Sequence, residues 1–188
     1  MKLLFSLCLL TVSLVSIGQD STSTKAKYYS VNSFGIEIGD LHQNTNVVYL
    51  QSLHGIKFDN SFGIAGGLNL IWSDSYKFLP ALISIRRSPT SKNKFGYNFD
   101  FGYNFPLAGR KQEFQTEYEF SKGGTFFHPQ ISGHIYDGKC SVYMNIGYRA
   151  YGFTEKYKDA FSWNGNEVEI ENKITARFLT VGITVEIW

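Results

Sequence analysis

The sequence is poor in several features that mark other classes of protein. It contains two cysteines and four prolines in 188 residues. Beyond Gly18 there is no run of about 18 consecutive apolar residues, so the sequence predicts no transmembrane helix. The net charge is +2 and the basic residues form no stripe, which argues against a nucleic-acid partner.

The N-terminus has the pattern of a secretory signal peptide. Lys2 precedes a mostly apolar run from Leu3 to Ile17, and a small-x-small cleavage signal ends at Gly18. We therefore expect residues 1–18 to be a signal peptide and residues 19–27 to be a flexible leader. A membrane anchor is the alternative, but the run is shorter than the roughly 20 residues that a spanning helix needs. Cleavage would leave one cysteine, so no internal disulfide could form.

Aromatic residues, in contrast, are abundant and regularly spaced: the chain has 12 Tyr and 16 Phe. From Phe95 to Phe105 every odd position is aromatic and every even position is small or polar, and this period of 2 is that of a β-strand. The stretch is longer than the usual soluble strand of about 5–6 residues, and it matches the roughly 9–11 residues of a tilted membrane-spanning strand. We expect it to cross a bilayer, with its rings against hydrocarbon and Asp100 facing a narrow polar interior.

Seven other segments show a similar alternation. The eight predicted strands are Val31–Gly39, Val47–Phe58, Phe62–Trp72, Lys77–Arg87, Phe95–Phe105, Thr125–Ile135, Cys140–Phe153 and Ile174–Trp188. An Asp-Gly pair at Asp137 predicts a hairpin between the sixth and seventh strands. Connections are short at one end, whereas the other end carries two long polar ones, Pro106–Gly124 and Thr154–Asn172. This asymmetry predicts an all-β fold over residues 28–188: a single eight-stranded antiparallel up-and-down transmembrane β-barrel with short periplasmic turns and two long extracellular loops.

With its exported leader, eight alternating strands and aromatic-rich last strand, the chain resembles the small outer-membrane β-barrels of Gram-negative bacteria, of the OmpA/OmpX type. The resemblance covers about Tyr28 to Trp188 and implies a location in the cell outer membrane, in contact with outer-membrane lipids. It also implies insertion by the barrel assembly machinery, which reads an aromatic residue at the end of the last strand. Trp188 lies two residues after Glu186, so the alternation places both side chains on the interior face of the last strand. The family keeps this aromatic residue on the lipid-facing side. A local bulge would move Trp188 to that side. We expect a monomer.

The candidate site consists of charged residues that the alternation places inside the barrel. The set comprises Glu37, Asp100, Arg149 and Glu186. The interior of an eight-stranded barrel is only just wide enough for side chains, and an isolated ion there is costly. We therefore expect the carboxylates to pair with Arg149, with Arg86 or Arg177 as further cations, in a polar network that closes the lumen. In the alternative, some of these residues lie near the rims in water.

The sequence shows no catalytic, cofactor-binding or metal-binding motif. The four histidines, His42, His54, His128 and His134, lack metal-ligand spacing, and no G-x-S-x-G elbow occurs. Ser52 and His54 have the lipid-facing parity of Leu50, and lipid-modifying barrel enzymes place Ser/His pairs on that surface. A bulge at Gly55 is the simpler explanation of the pattern. We expect no enzyme activity, no cofactor and no metal.

The remaining candidates lie at the two ends of the predicted barrel. Arg86, Arg87, Lys92 and Lys94 flank a periplasmic turn, where they could contact acidic lipid headgroups; a solvated turn is the simpler interpretation. The extracellular run Arg110–Lys122 and the loop around Trp163 are the best candidates for binding a ligand or protein, because exposed strand edges can pair with a partner strand.

These features predict an integral outer-membrane barrel with a structural, adhesive or recognition role through its extracellular loops. One alternative is a lipid-modifying outer-membrane barrel enzyme. The other is a secreted soluble lipocalin-like carrier of an apolar ligand, in which the aromatic face would point inward.

Overall fold

The computed structural model describes residues 26–39, 47–58, 62–73, 76–108, 110–113, 116–159 and 168–188. The predicted signal peptide and residues 19–25 of the predicted leader lie outside these ranges, as do His42 and Trp163. The strands are β1 (Lys27–Ile38), β2 (Val47–Lys57), β3 (Phe62–Trp72), β4 (Lys77–Arg87), β5 (Phe95–Ala108), β6 (Arg110–Glu113), β7 (Thr116–Asp137), β8 (Cys140–Asp159) and β9 (Val168–Ile187). Among the described residues, no helix is long and apolar enough to span a membrane.

The strands form one closed antiparallel sheet. β1 to β5 pair in chain order, β7 pairs with β5 and β8, β8 pairs with β9, and the β1–β9 pairing completes the ring. The short β6 pairs with β7 outside the ring and follows β5 in the chain. The barrel therefore has eight strands in up-and-down order, which confirms the predicted fold.

The register of the pairing fixes the tilt of the strands. Ser30 pairs directly with Ile187 of β9. Followed the other way around the ring, the partners in turn are His54, Gly66, Ile83, Phe101, Phe127, Ala150 and Arg177. Arg177 and Ile187 are ten residues apart (187 − 177). A stagger of this size over eight strands gives a tilt of about 41° and a backbone radius of about 8 Å. Such a bore is narrow enough for side chains to fill.

The aromatic side of β5 faces outward, as predicted. Its rings from Phe95 to Phe105 are 42% to 76% exposed, whereas Asp100 and Asn104 are fully buried inside the barrel. At the tilt given above, these rings cover a height of about 25 Å, the height of the apolar band of an outer-membrane barrel. The prediction about the two faces is confirmed, and the inward-facing rings of a soluble carrier are excluded.

Three strands extend far beyond their predicted extracellular ends. β7 begins at Thr116, β8 continues to Asp159 and β9 begins at Val168, so much of the two predicted long connections is paired strand. Above the membrane, pairing such as that of Tyr157 with Ile170 satisfies the backbone without an apolar face. Hydrophobic alternation therefore does not reveal these extensions. At the other end, Lys27, predicted to belong to the leader, is the first residue of β1.

Neither of the two predicted bulges is present. β2 pairs with β1 and with β3 through Gly55 without a shift of register. A side chain at Gly55 would lie 2.1 Å from the carbonyl oxygen of Ile64, so close approach of the backbones explains this glycine. The pairing of β9 also runs without a shift to Ile187. Trp188 therefore keeps its interior parity, and Ile187 faces the lipid instead.

Candidate functional site

Arg149 occupies the centre of the barrel interior. The side chain is fully buried; it forms an ion pair with Glu37 and contacts His128, with 3.1 Å between Nη2 and Nδ1. Its guanidinium lies 4.1 Å from the ring centroid of Tyr49. Gly182 leaves room for this ring, because a side chain there would lie 2.2 Å from the Tyr49 hydroxyl. Arg149 thus has a carboxylate, an imidazole and an aromatic face around it.

Asp100 is connected to this group through amides and the same imidazole. Gln51 and Gln130 each donate a hydrogen bond to Asp100 Oδ2, at 2.8 and 3.0 Å. His128 Nδ1 lies 3.7 Å from the same oxygen. Neither glutamine is among the predicted site residues, although the alternation places Gln51 on the same inner face as Leu53 and Gln130 on that of His128. Parity places a side chain inside the barrel, but it does not give the partner across the bore.

Glu186 does not join Arg149 but forms a second group near the periplasmic end. It forms an ion pair with Lys57 and accepts a hydrogen bond of 2.5 Å from the Ser88 hydroxyl. The Lys57 ammonium lies 4.9 Å from the ring centroid of Trp188, which explains the interior parity of this tryptophan. The structure therefore separates Glu186 from the other predicted residues by depth along the barrel.

The two further predicted cations lie on opposite faces. Arg86 is buried inside the barrel beside the amide of Asn98. Arg177 is exposed on the outer surface of β9, so it cannot neutralise an interior carboxylate. Its neighbours Ala176 and Phe178 are the inward-facing residues of that segment. The suggestion that Arg177 contributes to the interior network is wrong.

An aromatic cluster lies between the Arg149 group and the extracellular side. The ring centroid of Phe78 is 5.1 Å from that of Tyr76, 5.5 Å from that of Tyr151 and 5.2 Å from that of Phe153. The Tyr151 hydroxyl also donates a hydrogen bond of 3.3 Å to Glu37 Oε2, which joins the cluster to the polar group below it. The described interior thus has three layers. From the extracellular side they are the aromatic cluster, the group around Arg149 and Asp100, and the ion pair of Glu186 with Lys57.

Above the barrel, β7, β8 and β9 continue as a projecting sheet. At its surface the carboxylate of Glu171 of β9 accepts a hydrogen bond from Lys156 Nζ of β8 at 3.1 Å. Its other oxygen lies 3.6 Å from Lys122 Nζ of β7. The hydrogen bond from Lys156 and the charges of both lysines lower the pKa of Glu171. One carboxylate thus bridges three strands in a solvent-exposed position.

A polar cluster lies on the outer surface of β1 and β2. The Tyr28 hydroxyl is 2.6 Å from His54 Nδ1, and Ser52 donates a hydrogen bond of 3.0 Å to Asn32 Oδ1. At the tilt of the barrel, Ser52 lies about 15 Å above Phe58, which stacks on a neighbouring ring at the lower rim. The cluster therefore lies inside the apolar belt, where polar side chains are rare.

Within the part of the chain that the structure describes, no three His, Cys, Asp or Glu side chains are grouped so as to hold a metal ion. Cys140 is a free, partly buried thiol.

Comparison with known proteins supports the fold. The chain is similar to the crystal structure of the outer membrane protein OprG from Pseudomonas aeruginosa, with a TM-score of 0.51 and 10% identity over 89% of this chain and 99% of that one. The solid-state NMR structure of the outer membrane protein AlkL in DMPC bilayers also matches, with a TM-score of 0.44 and 12% identity over 90% and 93% of the two chains. No family model and no curated protein matches the sequence. The likeness to OprG supports the fold, and the closed ring and the apolar belt are those of a membrane-spanning β-barrel of the outer-membrane type.

Proposed function

We propose that this outer-membrane barrel has a closed lumen and acts by recognition or adhesion through its projecting extracellular sheet. The observation that carries the proposal is the length of β7, β8 and β9, which have 22, 20 and 20 residues. A tilted strand needs only roughly 9–11 residues to cross the membrane. From Arg177, at the upper edge of the belt, β9 extends roughly 20 Å outward to Val168. We propose no enzymatic step for this function.

The layered interior supports closure of the lumen. In the membrane-spanning part the buried carboxylates of Glu37, Asp100 and Glu186 are matched in number by the cations of Lys57, Arg86 and Arg149. Glu37 pairs with Arg149 and Glu186 with Lys57 across a bore of about 8 Å backbone radius, and the aromatic cluster lies above these pairs. An uncompensated charge at such a site would be costly, so the pairing favours a static filling over an open water column.

Conductance in planar bilayers tests the closed lumen. The purified protein is expected to give no steady, large single-channel current under conditions in which a general porin, added as a positive control, conducts. A steady large current from correctly folded protein would contradict closure.

The edges of the projecting sheet support the recognition role. Among the described residues β6 pairs with β7 alone, and β9 above Leu179 pairs with β8 alone. An exposed strand edge can add a strand from a partner, with backbone hydrogen bonds providing affinity. Lys122, Lys156 and Glu171 keep the sheet polar, as a surface in water requires.

Site-specific photo-crosslinking in intact cells tests this role. A photoreactive residue at Glu119, which is exposed on the projecting part of β7, is expected to capture an extracellular partner. The same residue at Lys139, exposed in a periplasmic turn, is the matched control. Deletion of the hairpin from Arg110 to Glu119, which contains the labelled position, should remove adhesion of the cells, while heat-modifiable migration of the barrel persists. Adhesion that survives the deletion would contradict the proposal.

A second candidate function, a lipid-modifying enzyme, is favoured by the outer polar cluster. Ser52 and His54 lie on the lipid-facing surface. A serine nucleophile and its base must lie there to act on the acyl ester of a membrane lipid. In the structure, however, Ser52 donates to Asn32 and His54 bonds to Tyr28, so a rotation of Ser52 is required before His54 can take its proton. Lipid mass spectrometry of cells carrying Ser52→Ala, with Ser30→Ala as the control, tests this function. Unchanged lipids in the Ser52→Ala strain would exclude it.

The assignment to the OmpA/OmpX type, insertion by the barrel assembly machinery and the monomeric state remain predictions from the sequence.

A further inference from the structure

A basic pocket lies on the outer side of the hairpin between β4 and β5, at the periplasmic rim. We name it the rim pocket: a cavity of about 380 Å³ lined by Arg87, Lys92, Asn93, Lys94, Phe95, Gly96 and Tyr97. Three of the seven lining residues are cations and two are aromatic. Neither the interior network nor the projecting sheet uses any of these side chains.

The rim pocket lies at the lower edge of the apolar belt. Arg87 is the last residue of β4, faces outward and pairs with Tyr97 of β5. One step further into the membrane, the outward-facing pair on the same two strands is Ile85 and Phe99. A molecule in the pocket would therefore contact cations at its polar end and an apolar surface directly above it. A phospholipid has the same two parts, a charged headgroup and apolar acyl chains.

Hydrogen bonds hold the turn that presents these cations. Thr90 N donates to the carbonyl oxygen of Asn93 at 2.7 Å, and Asn93 N donates to the Thr90 hydroxyl at 3.0 Å. The carbonyl oxygen of Lys94 accepts from His134 N of the neighbouring strand at 2.9 Å. At Gly96 a side chain would lie 2.2 Å from the Arg87 carbonyl oxygen, so the turn packs closely on β5. The pocket is therefore built into the fold before a ligand arrives.

The three cations of the pocket carry no ion pair with a carboxylate of any described residue. Asp137, in the neighbouring periplasmic turn, accepts a hydrogen bond of 2.7 Å from Ser141 and lines the adjoining cavity, to which Lys92 and Asn93 also contribute. Asp137 forms no ion pair with Lys92, and it is one acid beside three cations. The adjacent Arg86 points the other way, into the barrel. The pocket therefore presents an excess of positive charge at the membrane surface.

We propose that the rim pocket binds the phosphate of an anionic phospholipid of the periplasmic leaflet. Arg87, Lys92 and Lys94 would surround the phosphate, and the acyl chains would lie along Ile85 and Phe99. Basic pockets at the headgroup level recognise anionic lipids by these charges. The inference rests on the location of the barrel in a membrane and is independent of the proposed recognition by the extracellular sheet.

Native mass spectrometry of the full-length protein in detergent tests the proposal. The probes are phosphatidylglycerol and phosphatidylcholine with identical acyl chains. The wild-type protein is expected to retain phosphatidylglycerol preferentially, and each cation removed should weaken that binding roughly fivefold. The variant Arg87→Gln/Lys92→Gln/Lys94→Gln should therefore lose the preference, whereas the matched control Lys139→Gln, in the next periplasmic turn, should keep it. Heat-modifiable migration verifies that each variant is folded, and the single variant Arg87→Gln is used if the triple variant does not fold.

Two results would overturn the proposal. One is a wild-type protein that binds the two lipids equally; the other is a folded Arg87→Gln or triple variant that retains the full preference. A third arm uses soluble glycerol phosphate as a competitor at the same concentration as the lipid. We expect it not to displace phosphatidylglycerol, because it lacks acyl chains for Ile85 and Phe99. Displacement by glycerol phosphate at that concentration would identify a site for free anions and would also overturn the lipid assignment.

Discussion

The ion pair between Arg149 and Glu37 allows a quantitative test of the interior network by a double-mutant cycle. Both side chains are fully or almost fully buried and lie where a lone charge would have no solvent. Glu37→Gln leaves the guanidinium without its carboxylate, and Arg149→Met leaves the carboxylate without its cation. Each single change is expected to lower the free energy of unfolding by about 3–5 kcal/mol, the cost of breaking a buried pair.

The groups in contact with Arg149 cannot replace its missing partner. His128, Tyr49 and Phe126 lie beside the guanidinium, and none of them carries a negative charge at neutral pH. The carboxylate of Asp100 belongs to the same network, but it accepts hydrogen bonds from Gln51 and Gln130 and forms no ion pair with Arg149. Tyr151 can donate to Glu37 but brings no positive charge. The double variant Glu37→Gln/Arg149→Met has no buried charge at this site, so it should be more stable than the sum of the two losses predicts.

Urea unfolding of the barrel in lipid vesicles, followed by heat-modifiable migration, measures all four proteins. Glu171→Gln is the matched control: it removes a carboxylate from an exposed bridge, and little change is expected because exposed pairs contribute little. Strictly additive losses in the cycle, or single losses no larger than that of the control, would refute the view that these two charges depend on each other in a dry interior.

Two further predictions concern close packing and pH. Gly182→Ala places a methyl group 2.2 Å from the Tyr49 hydroxyl and should lower the free energy of unfolding by about 1–3 kcal/mol in the same assay. Gly133→Ala, where nothing lies closer than 3.9 Å, is the control, and equal losses would contradict the steric argument. Because the pKa of Glu171 is lowered in the fold, its bridge contributes above the ordinary carboxyl pKa and is lost as the pH falls through the lowered value. The protection factors of the amides around Glu171, which are corrected for the pH dependence of intrinsic exchange, should fall on that acid side in the wild-type protein but not in Glu171→Gln, and identical profiles would contradict it.

The membrane-spanning part of the fold follows from the sequence because lipid on one side and a narrow bore on the other force a strict alternation. β3 and β4 begin and end at the predicted residues, Phe62 to Trp72 and Lys77 to Arg87. Above the membrane both faces meet water, so the pattern of β8 around Lys156 or β9 around Glu171 does not distinguish a strand from a loop. Because the two faces of the sheet are alike there, the sequence predicts shorter strands than the structure shows in the projecting sheet.

The interior site is predictable only in part. Parity places Glu37, Asp100, Arg149 and Glu186 inside the barrel, and all four are buried. Depth along the barrel decides which of them meet, and it depends on the stagger of the whole ring. Glu186 lies one residue from the periplasmic end of β9, and this position separates it in depth from Arg149. Its partner Lys57 lies at the periplasmic end of β2, and the alternation also places it inside the barrel.

Cysteine labelling from Phe95 to Phe105 in a Cys140→Ser background tests which side of β5 faces the lipid. A fluorophore is placed at each position in turn, and its quenching by brominated acyl chains is measured in vesicles. We expect strong quenching at the six ring positions and weak quenching at the five positions between them. Uniform quenching, or the opposite alternation, would contradict it.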